Sequence, residues 1–284
     1  MRRLGIDMNL RKRNWIRSLV TGAAFTLSAQ IVCAQQPAQE PKPGDILQLQ
    51  TQTPKSTGPA KSGKAGAPFD VTGYWVAVIN EDWRWRMITP DKGDFSSVPL
   101  NIEGRRMADA WDPAKDEASG EQCRVYGAPS IMRLPTRLHI TWQDDNTLKI
   151  ETDLGTQTRL LHFGETPGKG PRSWQGSSLA EWEADTAGAP PRRGGGPTGP
   201  RDLKVETTNL KAGYYRRNGI PYSENAKVTE YFDLFPKLPN GDEWMVVNAV
   251  IEDPQYLTER FILSSNFKRE KDGSKWHPTP CTTR

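Results

Sequence analysis

Between Val71 and Lys268 the chain repeats one pattern: short runs of alternating apolar and polar side chains, each closed by Gly, Pro, Asn or Asp. Alternation with period two puts every second side chain on one face of an extended strand, which argues against an amphipathic helix. The runs are Val71–Ile79, Trp83–Ile88, Arg137–Trp142, Thr147–Thr152, Thr156–Phe163, Ser178–Glu183, Leu203–Thr208, Lys227–Phe235, Glu243–Glu252 and Arg260–Lys268. Asp144-Asp145-Asn146 and Pro239-Asn240-Gly241-Asp242 fall between runs as turn signals. One helix is expected, from Asn101 to Trp111. Ile102, Arg106 and Ala110 share a stripe there, Met107 and Trp111 lie beside it, and Asp112-Pro113 stops it. The reading is therefore an all-β, mainly antiparallel domain of about ten strands with one short helix, closed or nearly closed into a single barrel. Apolar content is modest, but nine of the ten Trp lie after residue 34, and each can bury a large area.

The N-terminus has a different character. Arg11-Lys12-Arg13 and Arg17 lead into an apolar run from Ser18 to Ile31 that ends at Val32-Cys33-Ala34. This is the layout of a secretory signal peptide over residues 1–34, with an apolar core too short to span a bilayer. Cleavage near Ala34 would place the protein in the periplasm or outside the cell, with no transmembrane segment in the mature chain. Met8 to Ala34 alone also reads as a well-formed signal, and lipidation of Cys33 is an alternative, although Gln30-Ile31-Val32 departs from the small-residue pattern it prefers. Subtracting the six Lys/Arg and one acidic residue of 1–34 from the totals of 38 and 34 leaves 32 and 33, a net charge of −1. The whole-chain charge of +4 thus carries no nucleic-acid reading. Removing Cys33 leaves Cys123 and Cys281, which an oxidising compartment would pair, the alternative being two buried thiols that never meet.

Residues 35–68 are rich in Pro, Gly, Lys and Gln and read as a flexible leader, with the domain running over 69–284 from Phe69. Residues 185–201 are a second Pro/Gly-rich stretch between two strands, read as a flexible insertion that could use Arg192 and Arg193 for contacts.

Asp70-Val71-Thr72-Gly73-Tyr74-Trp75 contains a Gly-x-Trp that resembles the opening strand of lipocalins and related calycin barrels. A wider set of motifs resembles a large family of exported bacterial β-proteins of uncharacterised function. These are Pro99-Leu100-Asn101-Ile102-Glu103-Gly104, a Cys-x-x-x-Gly-x-Pro-x-Ile-Met element from Cys123 to Met132, Trp174-Gln175-Gly176-Ser177-Ser178, Trp182-Glu183 with Leu203 to Asn209, Val228 to Phe232, and Glu252 to Tyr256. The resemblance implies a lipocalin-like barrel and export, and it supplies no reaction.

The chain carries no catalytic signature. His139, His162 and His277 are scattered without metal-ligand spacing, so neither a metal site nor a cofactor is expected. Strand parity is more useful. Val228, Glu230, Phe232 and Leu234 share a face, so Glu230 sits in an apolar row and must be paired or neutralised. Arg159, in a row with Leu161 and Phe163, is the plausible partner, and His162 falls on the opposite face. Three readings of Glu230 follow: a structural ion pair with Arg159, a polar anchor at the base of a cavity, or a general acid/base assisted by Arg159 or His162. Trp83 and Trp85, expected on one face of a strand with Arg84 and Arg86 on the other, form either core or a stacking platform. With Trp142 and Trp182 they complete an expected Trp-lined interior. The leading functional expectation is an exported protein binding a small hydrophobic or aromatic molecule. The alternatives are a periplasmic enzyme using carboxylate acid/base chemistry in the same cavity, or a structural envelope-associated protein. The sequence leaves the oligomeric state open.

Overall fold

The alternating runs do become strands. The computed structural model describes residues 63–165, 170–184 and 200–283, so the expected signal peptide, most of the leader and most of the 185–201 insertion lie outside the described residues. Nine strands close into a barrel: β1 (Gly73–Val78), β2 (Arg137–Asp144), β3 (Thr147–Thr152), β4 (Thr158–Phe163), β5 (Ser177–Ala184), β6 (Pro200–Thr208), β9 (Lys227–Leu234), β10 (Trp244–Glu252) and β11 (Phe261–Glu270). A separate two-stranded ribbon, β7 (Gly213–Tyr214) with β8 (Pro221–Tyr222), leaves the wall between β6 and β9. Around the barrel the order is β1-β11-β10-β9-β6-β5-β4-β3-β2. Every pair is antiparallel except β4 with β5, so the connection between those two must traverse the height of the barrel.

Period two sorts the side chains. Leu138 and Ile140, Leu148 and Ile150, Leu161, Leu203 and Val205, Phe232, Met245 and Val247, and Phe267 all point inward and pack as one core. Trp75 of the Gly-x-Trp is fully buried among them, its indole N–H donating to the Val71 carbonyl at 2.9 Å. The Arg269 guanidinium lies 4.2 Å from the Trp75 ring centroid and donates to the carbonyls of Asp70 and Thr72. Gly73, at φ 109°, leaves the room that this guanidinium occupies.

Aromatic rings and backbone close one end of the barrel. Phe163 packs between Trp142 at 5.5 Å and Trp182 at 5.4 Å, and Phe69 meets Trp182 edge-on. Trp182 donates to the Gly63 carbonyl at 2.6 Å, while the Gly63 and Lys64 amides bond to Asn146 Oδ1 and to the Asp145 carbonyl. The domain therefore starts ahead of the expected boundary at Phe69. The contacts that hold 63–68 are mostly made by backbone, which leaves no apolar pattern to read.

At the opposite end, the segments between strands form a second core in which Leu100, Ala128, Leu210, Tyr215, Ile220 and Tyr222 pack onto Val228, Ile251 and Phe261. This cap holds α1 (Trp83–Arg86), α2 (Ile102–Asp109), α3 (Pro113–Ala118) and α4 (Ala128–Ile131). The expected helix is α2, capped by Asn101, whose side chain accepts from the Gly104 amide at 2.8 Å. α1 corrects the strand expected at Trp83–Ile88. Asp82, at φ 52°, turns the chain into a helical turn, and Arg86 finds Glu81 and the Arg133 carbonyl instead of a solvated sheet face. A disulfide between Cys123 and Cys281, 158 residues apart, ties the cap to the C-terminal segment.

Candidate functional site

The Glu230 and Arg159 expected from parity do meet. β4 and β9 are separated in the wall by β5 and β6, so the pair reaches across the barrel interior. Arg159 Nη1 and Nη2 donate to the two Glu230 oxygens at 3.1 and 2.6 Å, a bidentate fork. Nη2 also reaches Thr207 Oγ1 at 3.4 Å, and Thr207 shares a 2.8 Å bond with Ser178. Four inward residues from β4, β5, β6 and β9 thus form one polar layer. Both charged side chains are 1% exposed. A carboxylate with both oxygens on a guanidinium, and only 1% exposed, is arranged as a cross-strut rather than for proton exchange with a substrate.

The other sequence-derived candidates do not join this layer. His162 lies on the outward face, its Nδ1 3.5 Å from Thr147 Oγ1. Trp142 and Trp182 are in the aromatic plug at the closed end. Trp83 and Trp85 stand on α1, not on a strand face: Trp83 is 60% exposed, whereas Trp85 donates to Asp94 Oδ2 at 3.1 Å. The expected Trp-lined interior is therefore filled with Leu, Ile, Val, Phe and Trp75 side chains.

A cleft that can take a ligand opens instead in the cap, over the β7–β8 ribbon. Pro113 at the first turn of α3, with the Asp112 side chain capping the Ala114 amide, sets the helix so that Asp116 turns inward. Asp116 is buried and accepts from Trp111 Nε1 at 3.2 Å, Tyr214 Oη at 2.8 Å and Arg124 Nη1 at 2.8 Å. The Arg124 guanidinium also lies 4.7 Å from the Tyr214 ring centroid. This network holds Trp111 and Tyr214 edge to face, 6.2 Å apart. Gly213 is required beside them, because a side-chain carbon there would fall 2.4 Å from both the Arg124 carbonyl and the Tyr222 hydroxyl.

The result is a half-open cleft of about 220 Å³ walled by Met107, Trp111, Tyr214, Tyr222 and Tyr256, with Lys115 and Arg124 among its polar lining. Burial pushes the Tyr214 phenol above its usual value, with the Asp116 bond adding to the rise and Arg124 opposing it. Burial pushes Tyr222 up as well. Both therefore present neutral phenols, and Asp116 already has three donors. Of the four rings only Tyr214 is half-buried; Trp111, Tyr222 and Tyr256 are buried behind the wall, so the cleft offers one ring face with Lys115 at its polar side. Sequence reading touched Met107, Ala110, Trp111 and Asp112 of this site as the expected helix and its stop, and Tyr256 as the end of a motif, without joining them. Tyr214 and Tyr222 sit in segments without periodicity, where aromatic density beside Gly and Pro (Gly213-Tyr214-Tyr215, Pro221-Tyr222) is the sole signal.

Among the described residues, no group of three or more His, Cys, Asp or Glu side chains could hold a metal ion, and no helix is long and apolar enough to cross a membrane. Comparisons with protein-family models, with curated proteins and with solved structures find no match to this chain.

Proposed function

We propose that this chain is an exported, periplasmic or secreted, ligand-binding protein whose small aromatic or apolar ligand occupies the cap cleft rather than the barrel interior. The observation that carries the reading is the cleft over the ribbon, about 220 Å³ with aromatic walls, set against an interior packed with side chains. A cavity of about 150 Å³ accommodates a benzene-sized ring. This cleft has room for one substituted ring, set against Tyr214, with an anionic or hydrogen-bonding substituent directed at Lys115 or Arg124. Export rests on the signal-like residues 1–34 and is supported by the Cys123–Cys281 bridge, which persists in oxidising compartments.

The test is titration of the mature protein with single-ring probes (indole, p-cresol, benzoate), followed by Trp fluorescence and ligand-observed NMR. Saturable binding that is lost in Ala110→Phe, which projects a ring into the cleft from an exposed position, is the expected result. No saturable binding of any probe, or binding unchanged in that variant, rejects the site. Intact-mass measurement of exported protein, expected to begin after Ala34, tests the address separately.

A second reading, an envelope-associated protein acting through surface contacts, draws on the filled barrel and on the exposed Trp83, Met87 and Ile88 around α1. Fractionation that leaves the mature protein with the membrane until Trp83→Ser releases it would favour this reading.

A further inference from the structure

Four arginines from three distant parts of the chain converge on the mouth of the barrel at its capped end: Arg86 from α1, Arg133 after α4, and Arg216-Arg217 after the ribbon strand β7. The floor of this mouth is Phe261 and Leu263 of β11. Leu263 pairs with Ala249, and Ala249 with Glu230, so the floor lies in register with the Arg159–Glu230 layer. Two carboxylates serve the four guanidiniums. Arg86 pairs with Glu81, and Arg133 pairs with Asp82 and, at 3.4 Å, with Glu81. Arg216 and Arg217 form no ion pair among the described residues. Arg216 donates to the Ser96 carbonyl at 2.8 Å and to Ser97 Oγ at 2.9 Å, and Arg217 donates to Tyr126 Oη at 3.2 Å. Their guanidiniums otherwise rest on the rings of Trp85, at 5.0 Å, and Tyr126, at 5.7 Å.

With nearby Asp94 paired to Arg84, the four arginines and the two carboxylates Glu81 and Asp82 leave a local charge of +2 in a partly desolvated mouth. Arg86 is nine-tenths buried, yet among the described residues its Nη2 has no hydrogen-bond partner, and neither has Arg217 Nε. Buried donors without acceptors are uncommon and call for an explanation. Burial, reinforced by repulsion from Arg133, lowers Arg86 to about 10 against the attraction of Glu81 and Asp82. Arg216 is likewise lowered to about 10, first by burial and then by Arg133, with Asp82 and Asp94 opposing. The loops that carry the partners are themselves constrained: Asp82 and Ser97 both hold positive φ, at 52° and 62°.

We propose that this mouth is a binding site for a single small oxyanion group, a phosphate, sulfate or carboxylate, held by Arg216 and Arg217 with Arg86 behind them. The open volume is about 30 Å³, room for the oxygens of one such group and too little for an organic body. Guanidinium forks match oxyanion geometry, and a charge of one or two would neutralise the local excess. The site shares no lining residue with the cap cleft and stands independently of that reading.

The experiment compares inorganic phosphate, sulfate and acetate with chloride at constant ionic strength. In the wild-type protein a twenty-fold excess of a bound oxyanion over its Kd raises Tm by about 4–7 °C, from mass action on a domain of this size. The Arg216→Gln/Arg217→Gln variant, measured against its own Tm in chloride, loses that rise. Arginine Nε–H resonances of the wild-type protein supply a readout that needs no variant to fold: Arg217 Nε–H shifts saturably with the oxyanion and not with chloride. A response to acetate alone narrows the ligand to a carboxylate. An equal response to chloride, an undiminished response in the double variant, or no oxyanion response in wild type overturns the proposal.

Discussion

Removing Glu230 is the sharpest test of how this barrel is held together. Glu230→Ala takes the counter-ion from an Arg159 side chain that is 1% exposed and bound through both Nη groups. What remains is a buried guanidinium with Thr207 Oγ1, at 3.4 Å, as its remaining hydrogen-bond acceptor and with Arg159 Nε already unsatisfied among the described residues. Breaking a buried pair from one side costs about 3–5 kcal/mol. With a urea slope of about 2 kcal/mol/M, the unfolding midpoint falls by about 1.5–2.5 M. Replacing both partners with apolar residues of similar size, Arg159→Met with Glu230→Leu, removes the desolvation penalty together with the attraction. The double variant is therefore expected within about 1 kcal/mol of wild type, or above it. Equilibrium urea denaturation, followed by Trp fluorescence and far-UV circular dichroism on wild type, Arg159→Met, Glu230→Leu and the double variant, closes the cycle, with Glu230→Ala measured beside them. The reasoning fails if Glu230→Ala costs under about 1 kcal/mol, which would mean that water reaches the pair. It also fails if the double variant is as unstable as the two single losses added together.

Two further outcomes follow from the same structure. Cys123→Ser/Cys281→Ser opens a closure of 158 residues, worth about 5 kcal/mol in the chain-entropy description, and should lower Tm to the value that reductant gives the parent protein. If reductant leaves Tm unmoved, the bridge carries no stability. Acid should destabilise in a defined window. Glu206 is lowered from its ordinary 4.5 by its bond to Lys227, and Glu121 by its bond to Lys211, each against a smaller opposing effect of burial. A carboxylate lowered in the folded state contributes stability above its unfolded value and loses it as pH falls through the folded one. Urea midpoints should therefore hold steady from pH 7 to about 5 and decline below about 4.5, with proton uptake on unfolding. A flat midpoint down to pH 3 would show that these pairs add nothing.

The strands were legible because each is a local statement. Thr147–Thr152 and Lys227–Leu234 announce their inward rows in the identity of alternate residues, and Glu230 and Arg159 stand out as charges in those rows. The helical turn at Trp83–Arg86 defeats the same logic. Trp-Arg-Trp-Arg satisfies alternation, but Arg86 is stabilised by Glu81 and by the Arg133 carbonyl, 47 residues away in the chain. The cap cleft was not legible either. Its walls come from α2, α3, the ribbon and Tyr256, none of which carries periodicity that marks a shared surface.

What the chain alone determines is which side chains face the interior of a β-barrel, because a two-residue period is a property of the backbone within one strand. The expected pairing of Cys123 with Cys281 is realised in the disulfide. Only the tertiary structure decides that β4 and β9 face one another across the interior, that the interior is filled, and that four arginines share one mouth. Those outcomes depend on which strands pair and how the cap folds back, and both are set by contacts between residues far apart in sequence.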